Sequence, residues 1–153
     1  TRRSSDLAVA EDTPFHTQVE ANTDPILVMR RGGNEVGQWW QRTKIGAGPI
    51  PIETDDGWLM IYHGVMDTCN GFVYSMGAAL LDLDEPWRVL YRTNQHILTP
   101  ETDYETSGHV PNVVFPCGLV IRGKTMYMYY GGADLVTGVA TMPVSEVLKM
   151  LET

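Results

Sequence analysis

Two residues able to bind an anion bracket the most strongly patterned stretch of the sequence. Lys44 opens an apolar run, residues 44–52 (KIGAGPIPI), and His63 stands near the end of a second, residues 58–64 (WLMIYHG). The lysine ammonium is a compact charge suited to phosphate, and histidine titrates near neutral pH. From spacing alone, a solvated lysine at a strand end and a structural histidine are the alternatives.

The residues between these two runs predict a β-hairpin. They read ETDDG (residues 53–57), and Asp-Gly between β-rich runs is typical of a turn with glycine at positive φ. On this interpretation Lys44 precedes the first strand and His63 ends the second. We therefore expect the two side chains to lie near each other at the rim of a sheet.

Two further side chains have a possible role and an ordinary alternative. Tyr74 can donate a hydrogen bond to a ligand, or it can simply pack. Asp134 follows two glycines and Ala133 at a strand end, where glycine allows a ligand to approach the backbone closely. The alternative for Asp134 is a turn aspartate that bonds to its own backbone.

Composition limits the class of protein. The 153 residues suit one domain, with 43% hydrophobic and 20% charged residues, as in an ordinary globular protein. Short runs rich in Val, Ile, Tyr and Trp indicate an all-β fold. The net charge of −8 argues against a nucleic-acid partner, although one local phosphate pocket remains compatible with it.

The cysteines and the hydropathy pattern point to no special chemistry. Cys69 and Cys117 are too few to staple a domain of this size, and no metal-binding spacing is present. No apolar run approaches the roughly 20 residues of a membrane helix. We therefore expect a cytoplasmic protein with no metal, no cofactor and no membrane contact.

An internal repeat predicts the architecture. Residues 58–64 align with residues 126–132 (MYMYYGG), and each follows an apolar strand and a glycine-containing turn. A repeated unit of three or four antiparallel strands is typical of propeller blades, with a β-sandwich as the alternative. We expect two blades, part of a third, and a terminal amphipathic helix over residues 143–151. The long polar segment 98–109 is predicted to be a functional loop.

The motifs together resemble a known family, the family 130 β-mannoside phosphorylases and hydrolases. The resemblance begins at residues 44–64 and continues through residues 77–84 (GAALLDLD), 110–118 (VPNVVFPCG) and 129–134 (YYGGAD). It implies that residues 1–153 are the C-terminal part of a single five-bladed β-propeller domain, about half of its blades.

The resemblance also assigns roles. It implies that Lys44, His63 and Tyr74 bind the inorganic phosphate that attacks the anomeric carbon, and that Asp134 contacts the mannosyl unit. The weaker candidates are Asn112, Asp103 and His109 for the sugar, Arg30 or Arg31 for the phosphate, and Trp39 and Trp40 as a sugar platform or as packing residues. The general acid, an aspartate, is expected in the N-terminal half, so no catalytic residue is expected on this chain.

The predicted function is phosphorolysis of β-mannosides to α-mannose 1-phosphate with inversion, using inorganic phosphate as co-substrate. The retained Lys44 and His63 favour phosphorolysis over hydrolysis. The alternatives are a β-mannoside hydrolase and a non-catalytic, carbohydrate-binding half-propeller. The expected partners are a β-mannoside oligosaccharide, phosphate, and either a second copy of the chain or the N-terminal blades.

Overall fold

The computed structural model describes residues 28–31 and 38–151, which form two antiparallel β-sheets and a terminal helix. The strands of the first sheet are β1 (Lys44–Ala47), β2 (Ile52–Thr54), β3 (Gly57–Thr68), β4 (Gly71–Leu81) and β5 (Val89–Arg92), and those of the second are β6 (Val114–Arg122), β7 (Thr125–Gly132) and β8 (Val136–Pro143). The helices are a 3₁₀ turn (Trp39–Gln41), α1 (Asp103–Thr106) and α2 (Val144–Leu151). The predicted all-β class with a short C-terminal helix is confirmed.

The first sheet is built on the long hairpin of β3 and β4. These strands pair from Trp58↔Leu81 to Thr68↔Gly71, and β1 and β2 both pair along the opposite edge of β3. The predicted turn between β2 and β3 is confirmed, with Gly57 at φ 146°. The expectation that His63 ends its strand is wrong, because β3 continues to Thr68 along β4.

The internal repeat corresponds to equivalent strands. Residues 58–64 lie in β3, which is the second strand in the spatial order β1-β3-β4-β5 of the first sheet. Residues 126–132 lie in β7, the second strand of the meander β6-β7-β8. The two sheets pack on each other and are not paired strand to strand through these segments. The two segments lie in separate sheets, as the repeat predicted, although the first sheet has five strands where three or four were expected.

A shared hydrophobic core joins the two sheets and α2. Alternate residues of each strand point into it, as the two-residue period of a β-strand requires. Its buried members are Leu59, Ile61, Met76, Ala78, Leu80, Val114, Met126, Met128, Tyr130, Val147 and Leu151. Fully burying a large apolar side chain contributes about 1.5–3 kcal/mol, so this core fixes the mutual position of the sheets.

The opposite face of the first sheet is covered by the paired tryptophans. Trp40 is 1% exposed, packs against Tyr62, and donates its indole N–H to the carbonyl of Asn94 at 3.0 Å. Trp39 stays 47% exposed and meets the ring of His96 edge-on. Of the two interpretations for this pair, packing describes Trp40.

The connection between the sheets carries α1, so the expectation of a structureless loop over residues 98–109 is wrong. Helix formation follows from a local signal, because the Glu105 carboxylate accepts a hydrogen bond from the amide of the N-cap residue Thr102 at 3.1 Å. The connection is tied to β4 by bridges at Met76↔Leu98 and Tyr74↔Val113. Within the described ranges, no helix is both long and apolar enough to cross a bilayer.

Candidate functional site

Strand register places Lys44, His63 and Tyr74 on one face of the first sheet. Lys44 pairs with Val65, which pairs with Tyr74, so these residues form one row across three strands. His63 lies two residues from Val65 and therefore points to the same side. Neighbouring strands are about 4.8 Å apart, so the α-carbons of Lys44 and Tyr74 are separated by roughly 10 Å. Two long polar side chains across that gap can converge on one small anion.

The ring of His63 is held between aromatic neighbours. Its centroid lies 5.9 Å from that of Tyr74 and 4.5 Å from that of Phe115, with interplanar angles of 27° and 38°. Gly46 lies beneath the ring, where an added Cβ would stand 2.3 Å from Cε1 of the imidazole. The sheet thus leaves a space that only a residue without a side chain can provide, and the imidazole fills it.

The environment of His63 keeps the ring neutral. Burial lowers the pKa of His63 from its ordinary value of 6.5, and a backbone hydrogen bond with Ala47 acts in the opposite direction. Among the described residues, its buried Nδ1 has no hydrogen-bond partner. An unpaired buried polar atom costs about 1–3 kcal/mol, so the packing around the ring must compensate for it.

Lys44 begins β1 with its side chain exposed. Its ammonium lies 4.8 Å from the centroid of the Phe72 ring, a cation–π contact across the edge of the sheet. Among the described residues, no carboxylate lies within 4 Å of this ammonium. The charge is therefore held near the sheet face without being neutralised, which suits an incoming anion.

Asn112 and Asp134 are carried by turns next to the second sheet. Asn112 precedes β6 at φ 61°, and Asp134 follows Ala133 in the turn between β7 and β8, with φ values of 57° and 45°. Positive φ is uncommon for residues other than glycine, and such residues cluster at ligand sites. Asp134 is exposed, and Asn112 is half-buried.

The two sets of candidates meet at one backbone hydrogen bond. The amide of Tyr74 donates to the carbonyl of Asn112 at 2.9 Å, and Tyr74 also bridges Val113. The amide of Ala133 donates to the carbonyl of Val113 at 2.9 Å, which brings the turn of Asp134 to the same place. A basic and aromatic surface therefore adjoins a surface of amide and carboxylate groups.

The weaker candidates lie around this junction or outside it. Asp103 and His109 are exposed, on α1 and on the segment that follows it. The guanidinium of Arg31 donates to the carbonyl of Arg42, and the carbonyl of Arg30 accepts from Arg92 at 2.9 Å. These contacts do not distinguish which arginine would reach a bound anion. No group of three His, Cys, Asp or Glu side chains able to hold a metal ion occurs within the described part of the chain.

Sequence reasoning missed the residues that support the candidates. The ring of Phe115 packs against His63 at a tilt, Phe72 underlies Lys44, and Glu105 is buried beside the Asp134 turn. Phe115 belongs to the motif at residues 110–118, so its position was a usable signal. Glu105 had only the Thr-x-x-Glu capping pattern at residues 102–105 to mark it.

Two successive antiparallel sheets that pack on each other are typical of propeller blades, and comparison with known proteins agrees. Residues 33–153 match glycoside hydrolase family 130, described as beta-1,4-mannooligosaccharide phosphorylase. The chain belongs to glycoside hydrolase family 130. Its fold is accordingly part of a five-bladed β-propeller.

Two of the similar proteins are mannoside phosphorylases, one matched by sequence and one matched by structure. The chain is 50% identical over 111 residues to the beta-1,4-mannooligosaccharide phosphorylase of Ruminococcus albus, covering 71% of this chain and 33% of that protein. It resembles the structure of beta-1,2-mannobiose phosphorylase from Listeria innocua in complex with beta-1,2-mannobiose, with a TM-score of 0.69 and 46% identity, covering 74% of this chain and 31% of the other.

A third similarity concerns hydrolases. One solved structure belongs to work showing that the family of mannoside phosphorylases contains glycoside hydrolases that target beta-1,2 mannosidic linkages in Candida mannan. It matches with a TM-score of 0.61 and 28% identity, over 69% of this chain and 32% of that one. The chain spans about a third of the length of the curated relatives it matches.

Proposed function

We propose that the protein containing this chain is a β-mannoside phosphorylase, which cleaves a β-mannoside with inorganic phosphate to give α-mannose 1-phosphate with inversion. The observation that carries the proposal is the junction at Tyr74 and Asn112, where the surface of Lys44 and His63 adjoins the turn of Asp134. Phosphate needs cationic and hydrogen-bonding partners, and a sugar needs amide and carboxylate partners. Both kinds of group occur on neighbouring surfaces, which are joined by the hydrogen bond from the amide of Tyr74 to the carbonyl of Asn112.

In this mechanism, Lys44, His63 and Tyr74 hold phosphate on one side of the mannosyl unit, and Asp134, with Asn112, orients the sugar. A phosphate oxygen forms a bond to the anomeric carbon while the glycosidic bond breaks on the opposite face. The departing oxygen takes a proton from a general acid, an aspartate that we assign to the N-terminal blades. Phosphate itself is the nucleophile, so the reaction requires no protein base and no cofactor.

Hydrolysis is the second candidate, because one structural neighbour is associated with hydrolases of the family. Two observations favour phosphorolysis. The chain is 50% identical to a phosphorylase and 28% identical to that neighbour. It also retains a lysine and a histidine on one sheet face, and water as a nucleophile would need no cationic surface there.

The test is an assay of the complete polypeptide with a panel of β-mannosides, with and without inorganic phosphate. We expect phosphate-dependent release of α-mannose 1-phosphate. Lys44→Ala removes a charge-assisted contact worth about 1.5–3 kcal/mol, so phosphate affinity should fall about ten- to a hundredfold. Lys124→Ala, an exposed lysine in the β6–β7 turn, is the matched control. Equal turnover without phosphate would instead identify a hydrolase.

We further propose that residues 1–153 form the C-terminal part of one propeller domain and act together with N-terminal blades. The isolated chain should then be almost inactive, since loss of a general acid alone lowers rates by about 10²–10⁴-fold. It should also self-associate through exposed strand edges. Size-exclusion chromatography combined with the phosphorolysis assay measures both properties. A monomer with full activity would contradict this proposal and would also argue against the non-catalytic alternative.

A further inference from the structure

The most deeply buried carboxylate among the described residues lies outside the set of predicted site residues. Glu105, in α1, is only 3% exposed, and both of its oxygens are engaged. Oε2 accepts from the amides of Glu101 at 2.9 Å and Thr102 at 3.1 Å, and Oε1 accepts from the hydroxyl of Tyr130 at 2.6 Å. Burying a carboxylate is costly unless such bonds compensate, and here three hydrogen bonds do so.

The carboxylate remains ionised in this environment. Burial by itself would raise the pKa of Glu105, but the hydrogen bonds from the Glu101 and Thr102 amides and from Tyr130 outweigh it and lower the pKa below the ordinary value of 4.5. Tyr130 responds in the opposite sense, because burial and the adjacent carboxylate raise the pKa of its phenol. The pair is thus a charge-assisted hydrogen bond between α1 and the end of β7.

A second set of bonds connects α1 to the turn that carries Asp134. The amide of Val113 donates to the carbonyl of Glu105 at 3.1 Å, and the amide of Ala133 donates to the carbonyl of Val113 at 2.9 Å. The amide of Val110 donates a hydrogen bond to the carbonyl of Ala133 at 3.0 Å. The segment after α1 therefore encloses the backbone of Ala133 from both sides.

That turn needs external support. Ala133 and Asp134 both have positive φ, and the amide of Leu135 donates to the carbonyl of Gly132 at 3.0 Å, as in a two-residue hairpin turn of the I′ kind. Such turns favour Asn-Gly, and a left-handed conformation costs an alanine about 1–2 kcal/mol. Ala133 is fully buried against Gly108, where an added Cβ would lie 2.5 Å from the carbonyl oxygen of Ala133. Local sequence alone would not select this conformation.

We propose that Glu105 is a positioning residue which, through Tyr130 and the segment 107–113, holds the left-handed turn of Asp134 in the geometry that binds the mannosyl unit. Glu105 does not itself touch the sugar in this arrangement. The inference rests on the proposed function, since it takes Asp134 as a sugar-binding group. It adds a structural dependence of that group on a buried acid more than twenty residues away in the sequence.

The test uses Glu105→Gln in the complete polypeptide, with Tyr130→Phe as a milder second variant in case the first folds poorly. Glutamine keeps the shape of the side chain but removes its charge. We expect the KM for mannoside to rise about ten- to a hundredfold, the range of a charge-assisted bond, with the KM for phosphate changed less than about twofold. Glu146→Gln, on the exposed face of α2, is the control.

A double-mutant cycle distinguishes positioning from general destabilisation. If Glu105 acts through Asp134, Glu105→Gln should have little further effect on mannoside use when Asp134→Asn is already present. Additive losses, or an equal loss for phosphate and mannoside, would overturn the proposal.

Hydrogen–deuterium exchange separates this proposal from the proposed function. Glu105→Gln should accelerate exchange of the amides of Ala133 and Leu135 and leave a β3 peptide over residues 60–66 unchanged. Unchanged exchange at the turn would refute the positioning role whatever the activity shows. Faster exchange in a protein whose mannoside use is insensitive to both Glu105→Gln and Asp134→Asn would instead overturn the sugar-binding role of Asp134, and with it the function proposed for Glu105.

Discussion

The two halves of the candidate site are positioned in different ways. Lys44, His63 and Tyr74 take their places from the register of β1, β3 and β4, and the ladder between β3 and β4 runs from Trp58↔Leu81 to Thr68↔Gly71. Asn112 and Asp134 lie in left-handed turns that are stabilised from outside, by α1 and the segment after it. A ladder of hydrogen bonds tolerates local change, whereas a strained turn depends on each of its supports. We therefore expect the two halves to respond separately to mutation.

The largest expected effect is that a substitution in one half of the site weakens the binding of phosphate, whereas a substitution in the other half weakens the binding of mannoside. His63→Ala should weaken phosphate binding about ten- to a hundredfold, because a hydrogen bond to an ion is worth about 1.5–3 kcal/mol, and should change mannoside binding little. Asp134→Asn should do the reverse. Steady-state kinetics with each substrate varied in turn measures both constants in the complete polypeptide.

Matched controls for this separation are His96→Ala, a half-buried histidine beside Trp39, and Asp56→Asn, an aspartate in the β2–β3 turn. Neither should shift either constant by more than about twofold, which corresponds to less than about 0.5 kcal/mol. If His63→Ala impaired both substrates equally, the division of the site into two independent halves would be wrong.

The next effect concerns the space beneath the imidazole. Gly46→Ala places a Cβ 2.3 Å from Cε1 of His63, so the ring must shift from its position beside Tyr74 and Phe115. Overpacking of this kind costs about 1–3 kcal/mol, and phosphate affinity should fall by up to about tenfold. Gly131→Ala is the control, because no atom lies within 4 Å of its added Cβ. Isothermal titration with phosphate measures the change, and an unaltered affinity would show that the ring orientation is unimportant.

A corresponding substitution tests the other half. Gly108→Ala brings a Cβ within 2.5 Å of the carbonyl oxygen of Ala133 and displaces the Asp134 turn. Mannoside affinity should fall about three- to tenfold, consistent with about 1 kcal/mol of strain, and phosphate affinity should stay constant. Competition binding with a mannoside would reveal the difference. A fall in phosphate affinity of the same size would mean that the two surfaces are mechanically coupled.

The smallest expected effect is a pH dependence of stability. Burial lowers the pKa of His63 below its unfolded value of 6.5, so its contribution to stability is present above pH 6.5 and is lost as the pH falls through the lowered pKa. When the pH falls from about 7.5 to about 5.5, the unfolding free energy of the wild-type protein should therefore decrease more than that of the His63→Gln variant. Urea denaturation at each pH gives the comparison. Parallel curves would mean that His63 titrates normally.

The strands that carry Lys44 and His63 could be predicted from the sequence, because the residues that determine them lie close together in the chain. The Asp-Gly turn at residues 53–57 and the alternating apolar runs on either side specify the β2–β3 hairpin. The repeat of residues 58–64 at residues 126–132 specifies two similar sheets. The error at His63 has the same origin, since the pattern of one strand does not show how far its partner β4 extends the pairing.

The strands, the repeat, the terminal helix and the types of the candidate residues can be predicted without a structure, because turn chemistry and hydrophobic period act between near neighbours. Three contacts follow only from the packing of the folded chain: Phe115 against His63, Tyr74 beside Asn112, and Glu105 behind the turn of Asp134. Those contacts join residues far apart in the chain. The left-handed turn at Ala133 goes against its local preference, so only the surrounding packing can stabilise it.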